Sequence, residues 1–304
     1  MKRRYVTADV FTFTTFKGNP VAVVLDAQGL STAQMQSIAN EFAYSETTFV
    51  LPPRDPAHTA WVRIFTASRE IPFAGHPNIG TAFVLARAAA DRSAPLPEAL
   101  CFEELAGLVP VRQLLQDGAV VGAELIAPEP LSLASAVAPA RVAACLSLSS
   151  DAIRTEAHMP RVVSVGLPFL VVELRSREAL SRCMPDRGAF RDLMPLDGAV
   201  SIYAYTRAVP PHGVESSTDL QSRMFTPHMT EDPATGSAAG ALVAFLAHLD
   251  DLPRLSMTVG QGSDMGRQST LFVTAETIGG KRAVRVGGHC VQVMEGTFDL
   301  PGGD

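Results

Sequence analysis

Apolar and polar positions alternate from the start of the chain, which is the pattern of a strand with one buried face. The alternation covers residues 5–11, and an unbroken apolar run follows at 21–25. Residues 17–20 read Lys-Gly-Asn-Pro, a sequence typical of a turn. The pattern therefore predicts two strands joined by a short connection, the second of them buried.

The apolar spacing then changes to that of a helix. Met35 and Ile38 lie on one face, and Ser31 with Gln34 is spaced as a capping box at the helix start. We expect this helix to end about residue 43. Glu46 then stands where the helix gives way to the next strand.

Two stretches of the chain match each other without a gap, 160 positions apart. Residues 63–66 (Arg-Ile-Phe-Thr) correspond to 223–226 (Arg-Met-Phe-Thr), and Gly80 corresponds to Gly240. In each stretch a strand pattern leads through small residues and proline into an Ala-rich apolar segment, which predicts a helix. A helix start offers free N–H groups to an anion, so two of them favour one ligand held between two similar halves. Because the identities are few, chance similarity stays open as the alternative.

The second half continues with strand patterns and one long polar loop. A shift toward Ala and Pro at 127–140 predicts a crossover between domains. We place one domain at 1–127 plus 292–304 and the other at 128–291. Residues 207–219 hold two prolines, a glycine and several Ser/Thr residues, which predicts an exposed loop. Whether that loop is a lid stays open. Strands are predicted at 162–166, 169–174, 200–205, 269–275, 283–286 and 291–298.

Composition narrows the class of protein. The 304 residues suffice for two domains, 47% are hydrophobic, and the net charge is −6 without a basic stripe. This balance excludes a nucleic-acid partner, and no apolar run is long enough for a membrane span. Polar residues interrupt any leader-like segment after the basic start. We expect a cytoplasmic protein with no membrane partner.

Neither the cysteines nor the histidines are spaced as metal ligands. Cys101, Cys145, Cys183 and Cys290 are far apart in the sequence and contain no Cys-x-x-Cys pair, so we expect buried or idle thiols. The glycine-rich signatures of nucleotide-binding proteins do not occur. The sequence predicts neither a metal nor a cofactor.

Several short motifs follow one another along nearly the whole chain. They are Asp9-Val10-Phe11, Gly18-Asn19-Pro20, Ser45-Glu46-Thr47, Ala74-Gly75-His76-Pro77, Asp232-Pro233-Ala234-Thr235-Gly236-Ser237 and Gly266-Arg267. In this order they resemble the phenazine-biosynthesis (PhzF-like) isomerase family. The resemblance implies an α+β, diaminopimelate-epimerase-like fold, in which two pseudo-symmetric domains each wrap a β-barrel-like sheet around a central helix. It also implies an active site in the cleft between the domains.

The same resemblance implies roles for individual residues. Glu46 becomes the general acid/base, because moving a proton between carbons needs one group that takes it and returns it. His76 is implied in substrate binding and proton handling, and Asp232 is implied to face the substrate. A surface charge at Glu46, a helix-capping His76 and an N-cap Asp232 are the purely structural alternatives. The further substrate-binding candidates are Gly75, Gly236, Ser237 and, more weakly, Ser45.

The resemblance predicts a cofactor-independent isomerase that moves a proton within a small activated or cyclic carboxylate. The family's type reaction is isomerisation of trans-2,3-dihydro-3-hydroxyanthranilate. Related epimerases and racemases use two cysteines at the helix starts, where this chain has Ala74 and Thr235, so thiol chemistry is disfavoured. A non-catalytic carboxylate-binding protein stays the other alternative. The expected partner is a small anionic substrate, and a homodimer stays open.

Overall fold

The computed structural model describes residues 2–91, 93, 97, 99–210 and 213–300. The chain divides into two compact units: unit 1 is Met1–Leu125 with Gly287–Asp304, and unit 2 is Ile126–Val286. Part of the predicted loop at 207–219 lies outside the described residues. Within the described part of the chain, no helix is long and apolar enough to cross a membrane.

Unit 1 is a sheet curled around one helix. Neighbouring strands pair in the order β1–β2, β2–β3, β3–β4, β4–β6, β6–β7 and β7–β8, of which β2–β3 and β4–β6 are parallel. The strands are β1 Lys2–Val10, β2 Asn19–Val24, β3 Glu46–Leu51, β4 Ala60–Phe65, β5 Glu70–Ile71, β6 Ala99–Glu104, β7 Gly107–Gln116 and β8 Ala119–Ile126, and the helices are α1 Thr32–Phe42 and α2 Gly75–Asp91.

The first helix confirms its sequence signals. The Ser31 hydroxyl accepts from the backbone N–H of Gln34, and the Gln34 side chain accepts from the N–H of Ser31, which is a complete capping box. Ala43 ends the helix in the left-handed region with φ 53°. This turn directs the chain into β3 and places Glu46 as its first residue.

The second helix is the core of unit 1. Residues 76–84 are all buried, since α2 packs against β1, β2, β3 and β7. Gly80 permits this close packing, because a Cβ there would lie 2.5 Å from Val21 and 3.0 Å from Val10. The helix axis is thereby fixed against the first two strands.

Unit 2 repeats these pairings. The pairs β11–β12 and β13–β15 are parallel, whereas β10–β11, β12–β13 and β15–β16 are antiparallel, as in the corresponding pairs of unit 1. The strands are β9 Ser132–Ala136, β10 Arg161–Ser164, β11 Pro168–Glu173, β12 Ile202–Thr206, β13 Leu220–Phe225, β14 Glu231–Asp232, β15 Arg254–Gln261 and β16 Ser269–Ile278, and the helices are α3 Pro139–Cys145, α4 Arg177–Ser181, α5 Arg187–Leu193 and α6 Gly236–Leu249.

The central helix of unit 2 is buried in the same way. Residues 238–247 of α6 are all buried, and a Cβ on Gly240 would lie 3.1 Å from Val286 and 3.2 Å from Val284. The predicted α+β fold of two similar units, each built around a central helix, is confirmed.

One element differs from the prediction. The sequence predicted separate strands at 283–286 and 291–298, but a single strand, β17 Lys281–Asp299, covers both. The strand continues through Gly287, because the missing side chain lets β17 approach β8. A Cβ on Gly287 would lie 2.5 Å from that of Glu124. The glycine between the two predicted strands is therefore part of the pairing.

Candidate active site

Glu46 and His76 lie together in unit 1. Glu46 begins β3, where its register partner on β2 is Val21, and His76 is the second residue of α2. Oε2 of Glu46 lies 3.5 Å from Nε2 of His76, with 17% of the glutamate side chain and 8% of the histidine side chain exposed. The two groups are thus near each other and largely shielded from water.

The protonation state of His76 follows from its contacts. Burial lowers the pKa of His76 to about 3, and the ring hydrogen-bonds the backbone of Pro20. Proline offers only a carbonyl there, so the ring must be the donor. Since Nε2 has no hydrogen-bond partner among the described residues, the donor is Nδ1. His76 is therefore neutral, with the lone pair of Nε2 on the side of Glu46.

The turn at 17–20 presents the Pro20 carbonyl. Gly18 has φ +66°, and a Cβ there would collide with the carbonyl oxygen of Val10, so the turn requires glycine. Oδ2 of the buried Asp9 accepts from the backbone N–H of Phe16 at 2.6 Å and fixes the preceding loop. The Asp-Val-Phe and Gly-Asn-Pro motifs thus hold the backbone that orients His76.

The start of α2 is open on one side. Gly75 is half-buried, and a Cβ added there would meet nothing within 4 Å, so internal packing does not require this glycine. Ser45, next to Glu46, is exposed. Both predicted substrate-binding residues of unit 1 therefore border open space beside the Glu46–His76 pair.

Asp232 lies in unit 2, in the short strand β14 that pairs with β13. Its Oδ2 accepts a 2.5 Å hydrogen bond from the hydroxyl of Thr235. The N-cap alternative for Asp232 is wrong, because Thr235 is the N-cap of α6 and Asp232 precedes it by three residues. Gly236 and the half-buried Ser237 are the first two residues of α6. Unit 2 thus brings Asp232 next to a helix start.

A buried amide holds Asp232 and Thr235 in place. Nε2 of Gln261 donates to the Asp232 carbonyl at 2.8 Å and to the Thr235 hydroxyl at 3.1 Å, and its Oε1 accepts from the Thr235 N–H at 3.1 Å. Tyr203 donates to the same Oε1 at 3.2 Å and lies 2.8 Å from the Ser222 hydroxyl. Since Gln261 occupies the acceptor side of the Thr235 hydroxyl, the proton of that hydroxyl is directed at Asp232.

Sequence reasoning missed Gln261, Tyr203 and Ser222. They are far apart in the sequence, on β15, β12 and β13, and only strand pairing brings them together. Tyr203 lies within a predicted strand, but the pattern there indicates only burial. None of the three carried a signal of its own.

Metal ligands and thiols are the other groups that could take part in acid/base or metal chemistry. Among the residues that the structure describes, no three His, Cys, Asp or Glu side chains are grouped as a metal site. Burial raises the pKa of Cys145 to about 11 and that of Cys183 to about 12, and it also raises that of Cys290. These thiols are neutral near pH 7 and are poor bases.

The chain matches the family of phenazine biosynthesis-like proteins over residues 8–296. It is 40% identical to an uncharacterized isomerase of Mesorhizobium japonicum, covering 97% of this chain and 98% of that one. It is 37% identical to the trans-2,3-dihydro-3-hydroxyanthranilate isomerase of Pseudomonas aeruginosa, covering 96% and 98%.

Solved structures agree with this assignment. A predicted epimerase from Pseudomonas aeruginosa superposes with a TM-score of 0.79 at 29% identity, covering 98% of this chain and 100% of that one. A PhzF-family phenazine biosynthesis protein from Bacillus anthracis has the same fold, with a TM-score of 0.85 at 22% identity and coverage of 99% and 100%. The chain belongs to the phenazine biosynthesis-like (PhzF) family and is an isomerase of that family.

Proposed function

We propose that this isomerase moves a proton between two carbons of a small activated or cyclic carboxylate without a cofactor, and that Glu46 carries the proton. His76 and Asp232 complete the catalytic set. The observation that carries the proposal is the 3.5 Å separation between Oε2 of Glu46 and Nε2 of His76, whose lowered pKa keeps it neutral. A neutral imidazole does not compensate the negative charge of the carboxylate, so the carboxylate can act as the base.

The proposed reaction has two proton transfers. Glu46 takes a proton from the first carbon, so that a C–H bond breaks, an O–H bond forms on the carboxyl, and the electron pair enters the conjugated system. The same O–H then breaks as a C–H bond forms at the second carbon, and the double bonds end in shifted positions. Nε2 of His76, an acceptor facing Oε2, can hold the proton on Glu46 between the two steps.

Substrate placement is assigned to the helix starts. Gly75, Gly236 and Ser237 offer backbone N–H or hydroxyl donors to a substrate carboxylate, with Ser45 as a weaker candidate. Asp232 is the acceptor for a polar hydrogen of the substrate, since the Thr235 hydroxyl fixes one of its oxygens. The substrate is thereby oriented with a carbon next to Glu46.

The named relatives supply the first substrate to test. Three relatives with 36–37% identity over nearly the full chain are trans-2,3-dihydro-3-hydroxyanthranilate isomerases. That compound is a cyclic, conjugated amino acid whose carboxylate and activated ring carbons fit the proposed chemistry. The cytoplasmic location and the homodimer stay predictions.

The test follows deuterium during turnover. In deuterated water the wild type should place deuterium on the product carbon, and Glu46→Gln should lower the rate by ~10²–10⁴ while retaining the fold and substrate binding. Ser201→Ala is the matched control. Thr47 pairs with Phe65, and Ile202 pairs with the corresponding Phe225, so Ser201 is the residue of unit 2 that corresponds to Glu46. Glu46→Gln turning over at the wild-type rate would refute Glu46 as the base.

A further inference from the structure

Glu104 and Gln261 occupy the same place in the two units. Phe102 on β6 pairs with the first residue of β4, and Val259 on β15 pairs with the first residue of β13; these two partners are 160 positions apart. Two residues beyond Phe102 and Val259 stand Glu104 and Gln261. Each side chain lies at the end of its strand beside the start of the central helix, where Asn78 and Thr235 respectively interact with it.

The two side chains differ in how their polar atoms are satisfied. Both heteroatoms of Gln261 are hydrogen-bonded, whereas both carboxyl oxygens of Glu104 are buried without a hydrogen-bond partner in the described part of the chain. Oδ1 of Asn78 is likewise buried and lacks a partner there, while its Nδ2 donates to the Ala74 carbonyl at 3.1 Å. A buried acceptor without a donor is costly, so this arrangement is short of one proton.

Burial favours the protonated form of Glu104. It raises the pKa of Glu104 to about 8, and this effect outweighs that of the nearby Asn78 amide, which lowers the pKa. Nδ2 of Asn78 is hydrogen-bonded to the Ala74 carbonyl. On the elements packed nearby, Arg63 of β4 pairs with Glu70 of β5 at 2.7 Å, and His76 of α2 is neutral.

We propose that Glu104 is a positioning residue of the active site: as a neutral acid it donates a hydrogen bond to Oδ1 of Asn78 and fixes the first turn of α2, which carries His76. Both polar atoms of the Asn78 side chain are then hydrogen-bonded: Oδ1 accepts from Glu104, and Nδ2 donates to the Ala74 carbonyl just before the helix. Ionised Glu104 would instead face Oδ1, a second acceptor. The first turn would move, and with it the His76 ring that Pro20 orients. The inference rests on the proposed role of His76.

A direct titration tests the proton without relying on turnover. In protein labelled with carbon-13 at the glutamate carboxyls, one resonance should titrate near pH 8 and should be missing in Glu104→Gln. The nitrogen-15 signals of the His76 ring should shift with the same midpoint in the wild type and stay constant in Glu104→Gln. Glu103→Gln is the matched control, because backbone N–H groups and His58 lower the pKa of Glu103 to about 2 and it does not titrate in this range.

The kinetic arm measures a pH profile. Between pH about 7 and about 9.5, the rates of the wild type and of Glu103→Gln should fall further than the rate of Glu104→Gln. The additional decrease should be about tenfold or more, as expected for one essential proton. A wild-type His76 signal that does not move near pH 8 would overturn the inference even if Glu104→Gln failed to fold. Loss of turnover in Glu46→Gln with identical profiles for wild type and Glu104→Gln would refute only the Glu104 role. Full turnover in Glu46→Gln would refute the proposed function and leave the titration as the test.

Discussion

The starts of α2 and α6 differ in what surrounds them, although both helices lie in sheets with the same pairings. In unit 2, Gln261 satisfies Thr235 and directs its hydroxyl at Asp232. In unit 1, His76 and Glu104 are titratable groups with unpartnered buried atoms in the described part of the structure. A saturated network holds one geometry, whereas groups that can gain or lose a proton permit proton transfer. We infer that unit 1 moves the proton and unit 2 orients the substrate.

The strand register sharpens this contrast. Phe65 and Phe225 correspond, and counting along the paired strands makes Thr48 the counterpart of Tyr203 and Glu46 that of Ser201. Ile71 corresponds in the same way to Asp232. Each candidate catalytic carboxylate thus corresponds to a residue without charge in the other unit. The two units share a scaffold and differ at the candidate functional positions.

The largest expected effects separate chemistry from placement. His76→Gln should lower kcat by ~10²–10³ with little change in KM, because it removes the acceptor that holds the proton on Glu46. Asp232→Asn should mainly raise KM, by about tenfold or more, because it weakens an oriented acceptor for the substrate. Steady-state kinetics on the trans-2,3-dihydro-3-hydroxyanthranilate substrate measure both. Equal losses of kcat in the two variants would break the division between the units.

Much of the fold was predictable because its signals are local. The capping box at Ser31 and Gln34, the turn at Gly18 and the repeated approach to α2 and α6 each depend on residues close in the sequence. The strands β6 to β8 were not predicted, because apolar and polar residues alternate only weakly in them, although the β6–β7 and β7–β8 pairs join segments that are adjacent in the sequence. The continuous strand β17 was missed because glycine indicates a turn unless a neighbouring strand requires close approach.

The site was predictable only in part. The motifs indicated Glu46, His76 and Asp232, and the structure places Glu46 beside His76. It also shows what sequence could not: the tautomer of His76 depends on the Pro20 carbonyl, and Thr235 rather than Asp232 caps α6. These features arise from contacts between distant segments, which leave no pattern in a single sequence.

Exchanging the paired strand-end residues should change stability in opposite directions. The folded pKa of Glu104, about 8, exceeds its ordinary value near 4.5, so the wild type loses stability as pH rises between these values and stays level above. Glu104→Gln removes this loss, and near pH 8 it should raise the free energy of unfolding by about 2–4 kcal/mol. Gln261→Glu should lower it by about 2–4 kcal/mol, because a carboxylate cannot donate to the Asp232 carbonyl.

Urea unfolding from about pH 5 to about pH 9 measures this exchange. Glu103→Gln again serves as the control, because the lowered pKa of Glu103 affects stability only on the acid side of its ordinary value. A Glu104→Gln difference that is constant across the range would show that Glu104 is ionised throughout. The contrast between the two helix starts would then be one of packing alone.

A smaller effect should distinguish the networks behind the two helices. Tyr203→Phe should lower the free energy of unfolding by about 1–2 kcal/mol and raise KM, because Gln261 loses a donor and Asp232 is held less firmly. Thr48→Val breaks the 2.8 Å hydrogen bond to Thr81 and should cost about 1 kcal/mol without a change in KM. An unchanged KM in Tyr203→Phe, measured beside its unfolding curve, would detach Tyr203 from substrate placement.

The smallest expected effect concerns the thiols, and it tests whether the two helix starts act without cysteine. Residues 74 and 235, where thiol-dependent relatives of this fold are expected to have their cysteines, are Ala and Thr in this chain, and burial keeps Cys145 and Cys183 protonated. Replacing all four cysteines by Ala should therefore leave kcat within about twofold, while the lost packing lowers stability by about 1 kcal/mol at each buried position. Turnover measured well below the unfolding temperature separates these two consequences. A rate that fell a hundredfold in a folded variant would assign the proton to a thiol, and the carboxylate of Glu46 would no longer explain the reaction.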